Sequence, residues 1–343
     1  MTTTDLIVVG GGPAGLSTAL YAARAGLSTV VLEPRAYPVD KACGEGLMPA
    51  AVRELHDLGV ELDGHVIQGI RYTDGSRSVA AEFRRGPGCG VRRTTLEAAL
   101  LDAARRAGVE VVSAKAHAIT QDSDGVNVDG RRGRFLAAAD GLHSPIRRQL
   151  GLDRPRGPHA APPRWGTRRH YAVTPWSDLV EVHWAEKAEA YVTPVGPGMV
   201  GVAILSSVQA PFDTQLAAFP ALRERLPEEG ATSVRGAGPF RQSAAARVSG
   251  RVLLVGDAAG YVDALTGEGI AVALGSARAL VQSITSGDPE GYDKRWRTAS
   301  RRYRSLTASL LWCRRQPMLS QRIVPIAARL PRLFDSAVQQ LAH

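Results

Sequence analysis

The sequence has little cysteine and no long apolar run. Cys43, Cys89 and Cys313 are odd in number and far apart, which excludes a disulfide framework and fits a reducing compartment. No stretch reaches the ~18 consecutive apolar residues of a membrane span. A first strand is expected by Leu6, which leaves no room for a signal peptide and points to the cytoplasm. No His or Cys cluster has metal-ligand spacing, so no metal is expected. Repeats and low-complexity linkers are absent. Acidic residues are scarce at one end only. Residues 294–343 hold eleven Arg and Lys against one acid, Asp335, more positive charge than the net +9 of the whole 343-residue chain.

What is present is a nucleotide-binding pattern. Leu6-Ile7-Val8-Val9 is a continuous apolar run, as expected of a strand buried on both faces. Gly10, Gly12 and Gly15 follow at the spacing G-x-G-x-x-G, with Pro13 and Ala14 in the first helical turn. Such glycines allow a tight turn, a close approach of backbone to pyrophosphate, and close packing of helix on strand. Ser28 to Leu32 forms the next strand. Glu33 ends it, and Pro34 and Arg35 follow. An acid at this place accepts hydrogen bonds from an adenosine ribose and repels a 2′-phosphate. Far along the chain, residues 251–260 read as a buried strand and a turn carrying Asp257. Gly267 and Gly269 then open a helix at Ile270. Two distant segments closing on one long dinucleotide point to FAD.

The order along the chain is an α/β half, a β-rich half, then a return to α/β. This fits a Rossmann-type FAD-binding domain interrupted by a mostly antiparallel β-sheet substrate domain, with C-terminal helices. The expected division assigns 1–64, 92–153 and 236–290 to the FAD-binding domain. It assigns 65–91 and 154–235 to the substrate domain and 291–343 to a basic helical region. A hairpin is expected around Asp74-Gly75 and another around Asp124-Gly125. A capping box is expected at Thr94 with Glu97. Residues 154–168 read as a crossover rich in Pro, Arg and Gly.

A third motif, Ala139-Asp140-Gly141-Leu142-His143-Ser144-Pro145, resembles the Asp-Gly motif of flavin hydroxylases of the para-hydroxybenzoate hydroxylase type and of the related geranylgeranyl reductases and flavin halogenases. The glycine motif, Arg93-x-x-Leu96, Asp140 and Gly256-Asp257 stand in the order of that superfamily. The resemblance implies that Asp257 meets the ribityl chain and that Arg93 contacts the phosphate–ribityl region. It further implies that Gly267 to Ile270 lie beside the flavin pyrimidine edge, and that Cys43, Gly44 and Glu45 belong to a loop near the flavin.

The reaction is less constrained. Flavin halogenases carry a Trp-x-Trp-x-Ile-Pro stretch, which is absent here. Lys41-Ala42-Cys43-Gly44 looks like the geranylgeranyl reductase branch. Those reductases often carry Tyr-x-Trp-x-Phe-Pro where this chain reads Tyr191-Val192-Thr193-Pro194, without the Trp and Phe. The whole pattern is closest in look to bacterial flavin monooxygenases encoded with type III polyketide synthases. The expected reaction is therefore hydroxylation of a phenolic or lipid-like small molecule with O2, and with NADH or NADPH as transient reductant. Reduction of isoprenoid double bonds is the alternative, followed by a non-catalytic flavin-binding module. A phenol needs a base, and His183 and Tyr191 are the candidates in the β-rich half. Cys43 and Glu45 are further catalytic candidates. No nucleic-acid module accompanies the basic tail, which leaves a solvated helical cap or contact with an anionic membrane through residues such as Arg314 and Arg315.

Overall fold

A computed structural model describes residues 4–155, 157 and 162–342. The crossover expected over 154–168 therefore lies partly outside the described residues. The chain folds as an α/β FAD-binding Rossmann-like unit, an antiparallel sheet and C-terminal helices. The strands of the first sheet run in the order Val248–Ser249, Val252–Leu254, Arg131–Ala138, Thr4–Val9, Thr29–Leu32, Glu110–Val112. The last five are mutually parallel, with Leu6 opposite both Thr29 and Phe135. Leu6, Ile7 and Val8 are wholly buried in the main core, on a strand with a parallel neighbour on each side, which is why this strand is apolar throughout. Helix Pro13–Arg24 packs on helices Gly269–Thr285 and Arg93–Arg106, so three separated segments share one core.

The second sheet has seven strands in the order Arg235–Ala237, Trp165–Tyr171, Met199–Ser206, Ala188–Gly196, Leu179–Trp184, Gly69–Thr73, Ser78–Glu82. All pairs are antiparallel except Leu179–Trp184 with Gly69–Thr73. Side chains alternate between its faces. Val192, Val202 and Ile204 bury against Phe212, Leu216 and Leu222 of short helices on one face. Tyr191, Thr193, Ala203 and Leu205 point the other way, toward the first sheet. Gly46–Leu47, Gly88–Gly90 and His65–Ile67 form a small third sheet of their own.

The capping box expected at Thr94 does not form. The helix begins one residue earlier, at Arg93, and its N-cap residue, Arg92, makes no side-chain cap. Glu97 is buried and instead accepts a hydrogen bond from the Val39 N–H.

The basic tail folds into helices Tyr292–Arg315, Pro317–Ser320, Ile323–Arg329 and Pro331–Leu341. Pro317, Pro325 and Pro331 each sit in a first turn, where a missing N–H is tolerated. Tyr303 donates to the Asp263 carbonyl at 2.8 Å, and Thr266 and Thr307 hydrogen-bond at 2.9 Å, fixing the long helix on the loop before Gly269. Val324, Phe334, Val338 and Leu341 bury against Ile70, Val182 and Trp184. Arg314 is not a surface contact. Its Nε lies 2.5 Å from the buried carboxylate of Glu189, and its Nη1 donates to the Ala185 carbonyl at 2.8 Å. Among the described residues, no helix is long and apolar enough to cross a membrane.

Candidate functional site

A cavity of about 500 Å³ lies between the two sheets. The glycine turn forms one end of it. Gly10 has φ +106°, and a Cβ there would lie 2.4 Å from the Ala139 carbonyl oxygen. A Cβ on Gly15 would lie 1.8 Å from the Gly10 oxygen. Both positions are glycine because the backbone leaves no room. Gly12 differs, because a Cβ there would meet only Arg93 Nη2, at 3.5 Å. Gly12 lines the cavity and is the N-cap of helix Pro13–Arg24, with no side chain capping the helix. Free N–H groups at such a helix end attract an anion.

Gly12, Pro13, Ala14, Arg35, Gly44, Arg93, Asp140, Asp257, Gly267, Gly269 and Ile270 all line the cavity. Gly10, Gly15, Glu33 and Pro34 do not. Gly10, Gly15 and Glu33 instead pack within or against the turn. Glu33 was expected to face a ribose. Its buried carboxylate accepts the Gly11 N–H at 2.9 Å and grips Arg35 at 2.7 and 2.8 Å. Burial opposes ionisation of Glu33, but the Arg35 and Gly11 hydrogen bonds outweigh it and hold the carboxyl below its usual range.

Several polar groups in the cavity wall lack protein partners. Arg93 Nε and Asp140 Oδ1 are buried without a hydrogen bond, and the Asp257 carboxylate makes none among the described residues. Buried polar groups without partners are costly, and a polar ligand would satisfy them. Burial pushes Asp257 above its ordinary value, while Arg93, Lys41 and Arg147 pull the other way. Arg147 ties the Asp-Gly motif to the Asp257 turn. Its Nη1 donates to the Ala258 carbonyl at 3.0 Å and its Nη2 to the Leu142 carbonyl at 3.1 Å. An open helix end, an adjacent guanidinium and a free carboxylate farther along fit a pyrophosphate followed by a hydroxylated chain. Among the described residues, no group of three or more His, Cys, Asp or Glu could hold a metal ion.

The four catalytic candidates separate. His183 does not reach the cavity. It lies on the far face of its strand and pairs with Glu181 Oε2 at 3.2 Å, while Val180 and Val182 face inward. Sequence spacing placed it on a strand but did not fix which face was buried against the site. Tyr191 does line the cavity, but its hydroxyl donates to the Leu265 carbonyl at 2.7 Å. Burial raises its pKa well above the ordinary value, which favours the protonated hydroxyl. Cys43 lines the cavity, and burial raises its thiol as well, keeping it protonated. Glu45 holds a left-handed φ of 61°. Its Oε1 accepts the Arg93 N–H at 2.9 Å, and its Oε2 lies 2.7 Å from His170 Nε2. Glu45 thus anchors the loop 41–46 to the second sheet.

Sequence reasoning missed Lys41, Arg168, His170 and Tyr261. Arg168 and His170 are two apart on strand Trp165–Tyr171 and so share a face. Arg168 Nη1 lies 3.0 Å from His170 Nδ1, and Arg168 also binds Asp40 and the Lys41 carbonyl. The signal was this i, i+2 pair of polar residues in a strand; the loop acids that it meets, Asp40 and Glu45, are more than 120 residues away in sequence.

Comparison with known proteins bears on the same cavity. Residues 3–216 match the family model described as FAD binding domain. The chain belongs to that FAD-binding family. It is an FAD-dependent oxidoreductase. It is 33% identical over 318 residues to a menaquinone reductase of Mycobacterium tuberculosis, covering 83% of this chain and 77% of that protein. It is 29% identical over 347 residues to the chloroplastic geranylgeranyl diphosphate reductase of Oryza sativa subsp. japonica, covering 89% and 71% respectively. A solved flavoprotein/dehydrogenase from Cytophaga hutchinsonii shares the fold, with a TM-score of 0.81, 19% identity and coverage of 99% and 98%.

Proposed function

We propose that this flavoprotein reduces a carbon–carbon double bond of a polyprenyl lipid. The hydroxylation expected from sequence needs a base facing the reactive side of the flavin, and the named candidates do not provide one. The observation that carries the reading is the apolar character of the sheet wall. The strands 69–73, 179–184 and 199–206 contribute Ile70, Tyr72, Val180, Val182, Ala203 and Leu205 to the cavity. An apolar wall of this kind suits a hydrocarbon chain. The names of the reductases to which the chain is similar support the same reading.

The aromatic residues missing at Tyr191-Val192-Thr193-Pro194 have a counterpart nearby. Tyr72 packs against Trp184 at 5.3 Å and Phe334 at 4.9 Å between ring centroids. Two strands and a tail helix thus assemble an aromatic cluster whose Tyr72 lines the cavity.

Bound FAD supplies hydride chemistry, with NADH or NADPH as the proposed source of electrons. Gly12 and the first turn of helix Pro13–Arg24 would hold the pyrophosphate. Arg93 would reach the phosphate–ribityl region, Asp257 the ribityl hydroxyls, and Gly267 to Ile270 the pyrimidine edge. Saturating a double bond takes one hydride and one proton. The protonated Cys43 thiol lines the cavity and is the proposed proton donor. The apolar wall and the C-terminal helices exclude water from the reacting carbon. A direct test is to reduce the holoprotein under argon and add a polyprenyl diphosphate, which has carbon–carbon double bonds but no quinone ring to take the electrons. Recovery of the oxidised flavin absorbance without oxygen is the expected result. Recovery only on admitting oxygen contradicts the proposal.

A further inference from the structure

We infer that the outer face of the last two helices docks on an anionic lipid bilayer. Helix Pro331–Leu341 buries one apolar face, and a short apolar row lies exposed at its N-terminal end. Phe334, Val338 and Leu341 point inward, and Leu341 lines the cavity. Outside, Leu330 is 51% and Leu333 63% exposed, with Ile326 39% exposed one turn earlier. These three residues stand on successive turns. The Leu330 N–H donates to the Ile326 carbonyl at 2.9 Å, and the Leu333 N–H to the Leu330 carbonyl at 3.0 Å. Trp312, 57% exposed, ends the preceding long helix. Large apolar side chains left exposed next to one another mark a surface that meets a partner or a membrane.

The charges identify the cover. Arg322, Arg329 and Arg332 are exposed beside this apolar row and make no ion pair with described residues. Asp335, the one acid of residues 294–343, is turned away to Arg84 at 2.5 Å. The outer face therefore carries leucine, isoleucine and uncompensated arginine. Apolar side chains among arginines match the boundary between acyl chains and anionic headgroups. A second copy of this chain fits poorly, because a two-fold contact would bring these arginines near their own copies. The inference rests on this surface and not on the proposed reaction, and the test below needs no turnover.

The test is flotation of the FAD-loaded full chain with vesicles of phosphatidylcholine alone or with phosphatidylglycerol, at low and high salt. Two variants accompany it, Leu330→Ser with Leu333→Ser, and Arg329→Gln with Arg332→Gln. All four side chains are exposed, and unchanged flavin content confirms folding. The expected result is binding to the anionic vesicles at low salt and release at high salt. Removing charge should weaken it about fivefold per arginine, and the leucine pair should weaken it further. Absence of binding at low salt, equal binding of the leucine variant, or equal binding to neutral vesicles would overturn the inference. So would a wild-type dimer that the leucine variant dissolves and that does not bind vesicles.

Discussion

At the scale of single residues, the groups without partners are the informative ones. Asp257 faces the cavity with a carboxylate that no described residue satisfies. Asp257→Ala should weaken FAD binding by about 1–3 kcal/mol through loss of an acceptor. Fluorescence titration of apoprotein with FAD measures this, and unchanged affinity would remove Asp257 from the site. Glu268 reports on the fold instead. Burial raises its pKa to about 7, against weaker pulls from Arg302 and Thr266. Between pH 4.5 and 7 the native state therefore holds a proton that the unfolded chain has released. Stability should fall as pH rises through that window, by about 3 kcal/mol for a shift of this size. Glu268→Gln should flatten the decline, and denaturant midpoints across that range will show whether it does. The limits of sequence reading are also clear at this scale. Arg93, Asp140 and Asp257 were legible because fixed spacing ties them to motifs. The side of the sheet that His183 occupies was not. It depends on which alternate residues meet the first sheet, a tertiary fact. Glu45 and His170 are 125 residues apart, and no local pattern joins them.

At the scale of elements, the glycine turn divides into two kinds of position. Gly15→Ala would place a Cβ 1.8 Å from the Gly10 oxygen. It should destabilise even the apoprotein, by about 1–3 kcal/mol. Gly12→Ala has open space before it, so the apoprotein should melt as wild type while FAD binding weakens. Parallel melting curves of the two apoproteins, with FAD titration of each, separate these outcomes. Equal loss of stability in both would refute the division. The parallel sheet was legible because buried strands are continuously apolar. Its helix boundaries were less so: the helix at Arg93 gains its start from Glu45, which accepts the Arg93 N–H, and not from a local capping box. The tail helix was misread at Arg314 for a related reason. Its charge looked solvated from sequence, yet Glu189 is wholly buried beside it. Arg314→Ala leaves Glu189 with Arg164 alone and should cost up to about 3 kcal/mol. An unchanged thermal midpoint would contradict this pairing.

At the scale of the whole molecule, three distant segments build one cofactor cradle, while the second sheet and the C-terminal helices supply an apolar chamber beside it. The cradle was readable because its chemistry recurs in short motifs. The chamber was not, because its wall comes from alternate residues of several strands and from a tail whose alternating apolar and basic residues suited a helical cap and membrane contact alike. The central claim is that this chamber serves reduction and not oxygen insertion. Mass spectrometry of the product after turnover with a polyprenyl quinone tests it most directly, run under argon with chemically reduced protein and again under labelled dioxygen with NADPH. The account predicts a product that gains two hydrogens in its polyprenyl tail, located by fragmentation, in both atmospheres and carries no label. A product formed only with dioxygen and carrying labelled oxygen would contradict it.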